Sequence, residues 1–218
     1  METLTVFLSI IGAVAFSLSG AMLAVRKGLD LLGVLVVGTI TAVGGGVLRD
    51  TLLGILPPTM FSDPVYALAA ILSALLFFLV LYIVHPSLPD LDARMSRIIN
   101  VFDAVGLGIF CVVGTETSMR SGYSDNFLLC VFLGVVTGAG GGVIRDLLVG
   151  DIPMILRKHI YAVAALLGSI LYYGSVRAGF PELVCTLVCV AVVIIIRLLA
   201  AHYRWNLPRI PQPPSSTP

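Results

Sequence analysis

Charge is what this sequence has least of. Charged residues make up 11% of its 218 positions, where a soluble domain carries roughly 25%, so an ordinary water-facing surface cannot be built from them. Residues 3–25, 31–48, 65–84, 126–144 and 160–176 contain no Asp, Glu, Lys or Arg at all. Histidine is nearly absent too: His85, His159 and His202 are scattered at the ends of apolar stretches, which leaves no set for a metal centre or a nucleophile–His–acid arrangement. An enzyme is therefore not expected. A net charge of +1 gives no electrostatic basis for a nucleic-acid partner. No Lys or Arg precedes the first apolar stretch, so the basic head of a cleaved signal is missing and that stretch reads as a retained helix. The four cysteines, Cys111, Cys130, Cys185 and Cys189, all fall in apolar stretches without nearby ligand partners and read as small buried residues.

What is there in quantity is hydrocarbon. Apolar residues reach 58% and the mean hydropathy is +1.06. A membrane-crossing helix needs about 20 mostly apolar residues. The five charge-free stretches supply one span each, and residues 101–119 and 183–196 supply two weaker ones. The expected fold is an all-α polytopic membrane protein of seven helices, with residues 1–203 as a single membrane domain. The Pro- and Ser-rich segment 204–218 is expected to be a disordered tail. Nine of the 13 Lys and Arg lie on one side when loops are assigned alternately, which predicts the N-terminus outside and the C-terminus in the cytoplasm.

One motif stands out against this background. Gly44 to Asp50 reads GGGVLRD, and Gly140 to Asp146 reads GGGVIRD. Placing Gly44 on Gly140 also aligns Thr41 with Thr137, Gly54 with Gly150 and Pro57 with Pro153. Small shifts align Tyr66 with Tyr161, Gly12 with Gly106 and Gly20 with Gly114. Two three-span repeats result, about 4–85 and 98–178, with a seventh helix at about 181–201 outside them. Three is odd, so the second copy enters the membrane from the opposite side. Inverted repeats of this kind place a solute path near the midplane, where interrupted helices meet.

Each glycine costs roughly 1 kcal/mol relative to Ala in a helix interior. The triplets Gly44, Gly45, Gly46 and Gly140, Gly141, Gly142 therefore predict kinked or unwound second and fifth spans; close helix approach at small residues is the competing reading. Neither triplet is followed by the Lys-Ser/Thr of a phosphate loop. Arg49, Asp50, Arg145 and Asp146 are expensive in hydrocarbon. Neighbours in sequence do not face each other on a helix, so each charge is expected to seek water or a partner elsewhere, forming two charged stations along a path. A direct Arg49–Asp146 pair is not expected, because the helical rise separates the two stations. The hydroxyls of Thr41, Thr137, Ser19 and Thr115 are candidates to line a hydrated lumen or to bond a carbonyl one turn back.

Two inverted three-helix repeats, each with GGG-V-[LI]-R-D, followed by a seventh helix, resemble the prokaryotic branch of the trimeric intracellular cation (TRIC) channels, from Leu4 to about Ala201. The resemblance implies a homotrimer in membrane lipid with one pore inside each protomer, passing near the two triplets. It implies potassium, and also sodium, as permeant ions, no cofactor, and a prokaryotic plasma (inner) membrane location. Related bacterial sequences carry a glycine-transporter label. The alternative is thus a secondary transporter of glycine or another small zwitterion, with Arg meeting the carboxylate and Asp the ammonium.

Overall fold

The computed structural model describes residues 2–84, 91–157, 160–203 and 205. Seven helices are long and apolar enough to cross a membrane: α1 (Glu2–Arg26), α2 (Leu31–Leu53), α4 (Val65–Val84), α5 (Leu91–Ser118), α6 (Phe127–Leu148), α8 (Ile160–Arg177) and α9 (Glu182–His202). Two single-turn helices, α3 (Thr59–Ser62) and α7 (Met154–Arg157), sit in the connections after α2 and α6. α5 runs on into a π turn at Met119–Tyr123. No strand occurs among the described residues. The proposed tail, His85 and His159 lie outside the described residues, apart from Trp205 in the tail.

Sequence chemistry explains the ends of the central helices. Asp30 caps α2 by accepting from Gly33 N, and Asn126 caps α6 by accepting from Leu129 N. These are short polar side chains at N-caps that align in the repeat register. At the other ends Gly54 and Gly150 take positive φ, 72° and 71°, the left-handed turn that lets a chain leave a helix sharply.

The packing follows the same order in both halves. α1 lies against α2 and α4, as α5 lies against α6 and α8; α1 meets α5 and α2 meets α6 across the centre. α9 packs on α5 and α8, so the helix outside the repeat touches the second half. Leu68, Leu72, Leu76, Val80 and Ile83 of α4 are exposed. Exposed leucines on a spanning helix face hydrocarbon and cost nothing there.

Both triplets lie inside unbroken α-helix, so the unwound turn expected there does not form. The physical reason lies in solvent and contact. Without water to take up freed amide and carbonyl groups, a helix keeps its own ladder, and these glycines serve an approach that no other residue permits. A Cβ on Gly45 would collide with the carbonyl oxygen of Thr137, and one on Gly141 with that of Thr41. α2 and α6 thus cross backbone against backbone. Gly20 and Gly114 make the same provision for the side chains of Thr41 and Thr137.

A one-sided cavity and a buried charge cluster

The helix crossing divides the protein into two ends that differ in polar content. At both ends the Arg-Asp pair closes on itself. Arg49 Nε donates to Asp50 Oδ1 at 2.8 Å, and Arg145 Nε donates to Asp146 Oδ1 at 2.9 Å. This corrects the expectation that neighbours in sequence would not pair. The rule about helix faces concerns Cβ directions, whereas the long arginine side chain folds sideways along the helix and its guanidinium reaches the adjacent carboxylate. Arg49 and Asp146 are not bonded to each other among the described residues, in keeping with the rise argument.

The second carboxylate oxygen is also used in the same way at both ends. Asp50 Oδ2 accepts from Thr59 N at 2.8 Å, and Asp146 Oδ2 accepts from Met154 N at 2.7 Å. Each aspartate therefore staples the first residue of a short helix, α3 or α7, back onto the long helix before it. An anion at a helix start is favourable in itself, and it fixes the returning chain over the end of the long helix.

Beyond the staples the ends part company. Arg145 is fully buried, with 0% of its side chain exposed. Its Nη1 donates to Ser19 Oγ at 2.7 Å and to Asp103 Oδ1 at 2.8 Å. Asp103 is fully buried too, and its Oδ2 lies 3.5 Å from Arg197 Nη2 of α9. The Arg197 guanidinium stacks 4.4 Å from the centre of the Tyr161 ring. Two arginines and two aspartates thus balance in a dry cluster, a necessary condition for keeping charge in a low dielectric. Neither Arg197 nor Asp103 stands out in the sequence as a site residue. Their charges inside spans were the available signal.

At the other end, on the side where α1 begins, Arg49 borders a cavity of about 180 Å³. Thr5, Ser9, Tyr66, Val113 and Thr117 line it with Gly46, Arg49 and Asp50. In the repeat register Ser9 corresponds to Asp103, Tyr66 to Tyr161 and Val113 to Ser19. The positions that fill the space around Arg145 are the positions that surround an opening around Arg49. At its rim Thr5 Oγ1 donates to Glu116 at 3.1 Å, and Glu116 pairs with Arg120 at 2.8 Å.

Of the expected path residues, Gly46, Arg49 and Asp50 line this cavity, and Ser19 meets Arg145. Gly44 and Gly140 lie at the crossing, where Cβ atoms would meet Ile144 and Leu48. Gly142 faces the Tyr161 hydroxyl and Asp103. Thr41, Thr115 and Thr137 donate to the carbonyls of Val37, Cys111 and Leu133, each one turn back. Among the described residues no group of His, Cys, Asp and Glu has the arrangement of a metal site.

Comparison with known proteins places this arrangement. A family model described as "Glycine transporter" matches the chain twice, at residues 6–82 and 100–177. The UPF0126 inner membrane protein YadS of Escherichia coli is 36% identical over 94% of this chain and 95% of its own length. Among solved structures, the TRIC trimeric intracellular cation channel orthologue from Rhodobacter sphaeroides is 33% identical, with a TM-score of 0.84 over 93% of this chain and all of its own. A structure described in connection with conductance through TRIC cation channels is 38% identical, with a TM-score of 0.80 over 96% of this chain and 98% of its own. These neighbours are ion channels rather than enzymes, in agreement with the sequence. The chain belongs to the UPF0126 family of membrane proteins, which bears the glycine-transporter description and shares its fold with the prokaryotic TRIC channels.

Proposed function

We propose that this protein is a monovalent cation channel, conducting potassium and also sodium, with a separate path in each protomer of a homotrimer and no cofactor. The observation that carries the reading is the cavity at Arg49 and Asp50, into which Thr5, Ser9, Thr59, Tyr66 and Thr117 bring hydroxyls among apolar side chains, and which lies between the α1 N-terminal end and the helix crossing. Hydroxyls can replace part of an ion's hydration shell while binding it weakly enough for release. Glu116 at the rim, paired with Arg120, adds carboxylate oxygens there without net charge. The same fold in TRIC cation channels supports the reading. In the native membrane the N-terminus is outside, so the cavity faces outward and the Arg145 cluster faces the cytoplasm.

A carrier for glycine would need closure at either end in turn. Here the groups that shut the Arg145 end have no acidic counterpart at the Arg49 end, where Ser9 stands in the place of Asp103. One closable end suits a gated channel. Purified protein in planar bilayers with potassium chloride is expected to give unitary currents that reverse at the potassium potential under a gradient. Saturable glycine uptake into proteoliposomes, without unitary currents, would overturn the channel in favour of the carrier.

A further inference from the structure

The two repeats differ at one place in a way that their own sequences do not account for. Arg145 is held by Asp103, and Asp103 is held in turn by a residue from outside the repeat. We propose that Arg197 is a positioning residue that keeps the Arg145 end of the path shut: the seventh helix is the lock of a channel whose repeats supply only the path. The proposal rests on the channel reading.

The geometry assigns the roles. Asp103 offers two oxygens, and each faces a different arginine: Oδ1 takes Arg145 Nη1 at 2.8 Å, and Oδ2 lies 3.5 Å from Arg197 Nη2. A carboxylate between two guanidiniums is fixed in its rotation. Removing Arg197 frees Oδ2 and lets the carboxylate turn away from Arg145. Tyr161 fixes Arg197 in its turn, its ring 4.4 Å from the guanidinium. Arg145 itself fills the space that at the other end is cavity, between Ser19 of α1 and Asp103 of α5. A guanidinium seated there blocks a cation by its volume.

The lock is also built to open. Among the described residues Arg197 Nε and the Tyr161 hydroxyl are buried without a hydrogen-bond partner, and Arg145 Nη2 meets only Asp146 Oδ1, at 2.9 Å. A network with unmet donors is costly to keep in a low dielectric. The Arg49–Asp50 pair borders a cavity, whereas the cluster at Asp103 keeps two donors unmet and gains hydrogen bonds when water reaches it. α9 has no counterpart in the first half, so only one end can be locked in this way.

The test is single-channel recording of wild type, Arg197→Gln and Tyr161→Leu in planar bilayers. Arg197→Gln is expected to raise open probability by about tenfold or more, the equivalent of one charge-assisted hydrogen bond, with unit conductance unchanged. Tyr161→Leu keeps every charge and is expected to shift open probability in the same direction by a smaller factor, which decides the matter if the Gln variant does not assemble. A role through Arg145 predicts that Arg197→Gln with Arg145→Gln opens no further than Arg145→Gln alone, whereas additive effects would mark a merely structural contribution. Wild-type currents with unaltered or lowered open probability in both variants would overturn the lock and leave the channel standing. Currents absent from wild type and variants alike would overturn both. A silent wild type with a conducting Arg197→Gln would support both.

Discussion

Two aspartates in the same motif make the same two bonds and still carry different weight. Asp146 pairs with an arginine that has no exposed surface, while Asp50 pairs with one that borders a cavity and is 8% exposed. Asp146→Ala turns a balanced dry cluster into one with an excess positive charge. Removing one partner of a buried pair costs about 3–5 kcal/mol. In Asp50→Ala the cavity can hydrate Arg49, and the loss is expected near that of an ordinary charged hydrogen bond, about 1.5–3 kcal/mol. Thermal unfolding of the two variants in the same detergent measures the difference, and equal losses would contradict the inequivalence of the two ends. The motif showed in the sequence that charge had to be accommodated. It did not show where, because the answer depends on residues from four other helices. Arg197 was least legible of all: a helix outside a repeat has no second copy whose comparison would single out a buried position.

At the level of the helix, the triplets separate into glycines that touch backbone and two, Gly46 and Gly142, that meet only side chains. Gly45→Ala and Gly141→Ala drive a methyl group into a carbonyl oxygen across the crossing, and overpacking of this kind costs about 1–3 kcal/mol or more. At Gly46 the nearest atom a Cβ would meet is Arg49 Nη2 at 3.9 Å. Gly46→Ala is therefore expected to stabilise α2 by up to about 1 kcal/mol through helix propensity, while placing a methyl group in the cavity. Melting temperatures moving in opposite directions for positions 45 and 46 would establish this division, and a loss at both would refute it. The spans themselves were legible from charge-free length, and the N-caps fall at Asp30 and Asn126, polar residues at the starts of long apolar runs. Of the kink or unwound turn expected at Gly44–Gly46 and Gly140–Gly142, the unwound turn failed because these glycines serve a close approach, Gly45 on Thr137 and Gly141 on Thr41, that an intact helix presents. The short helices α3 and α7 escaped notice because a single turn has no periodicity; Pro57 and Pro153 marked only that the chain turned.

Across the whole molecule, seven spans put the chain ends on opposite faces, and the repeat faces both ways while the positive charges do not. The burial of Arg197 removes one charge from the side assigned to the cytoplasm and leaves the asymmetry in place. A reporter fused after His202 that is active only in the cytoplasm is expected to be active, and the same reporter ahead of Glu2 inactive; the reverse pattern would invert the direction of the cavity. The family match in two separate segments, 6–82 and 100–177, leaves α9 outside both. One single-ended feature of the structure, Arg197, comes from there, while Asp103 and Ser19 lie inside the repeats.

The contact of Gly45 with Thr137 and of Gly141 with Thr41 has a mechanical consequence. Two rods touching with nothing compressible between them can pivot but cannot part or slide without losing contact. Arg145 lies four residues beyond Gly141, about 6 Å along the helix. A pivot of about ten degrees moves a point at that lever arm by only about 1 Å, far less than the width of a guanidinium. Swinging the helices therefore does little near the fulcrum, and clearing the way there falls to the side chain. Opening such a passage would be set by the breaking of the Arg145 contacts to Ser19 and Asp103 rather than by the collective motion of helices.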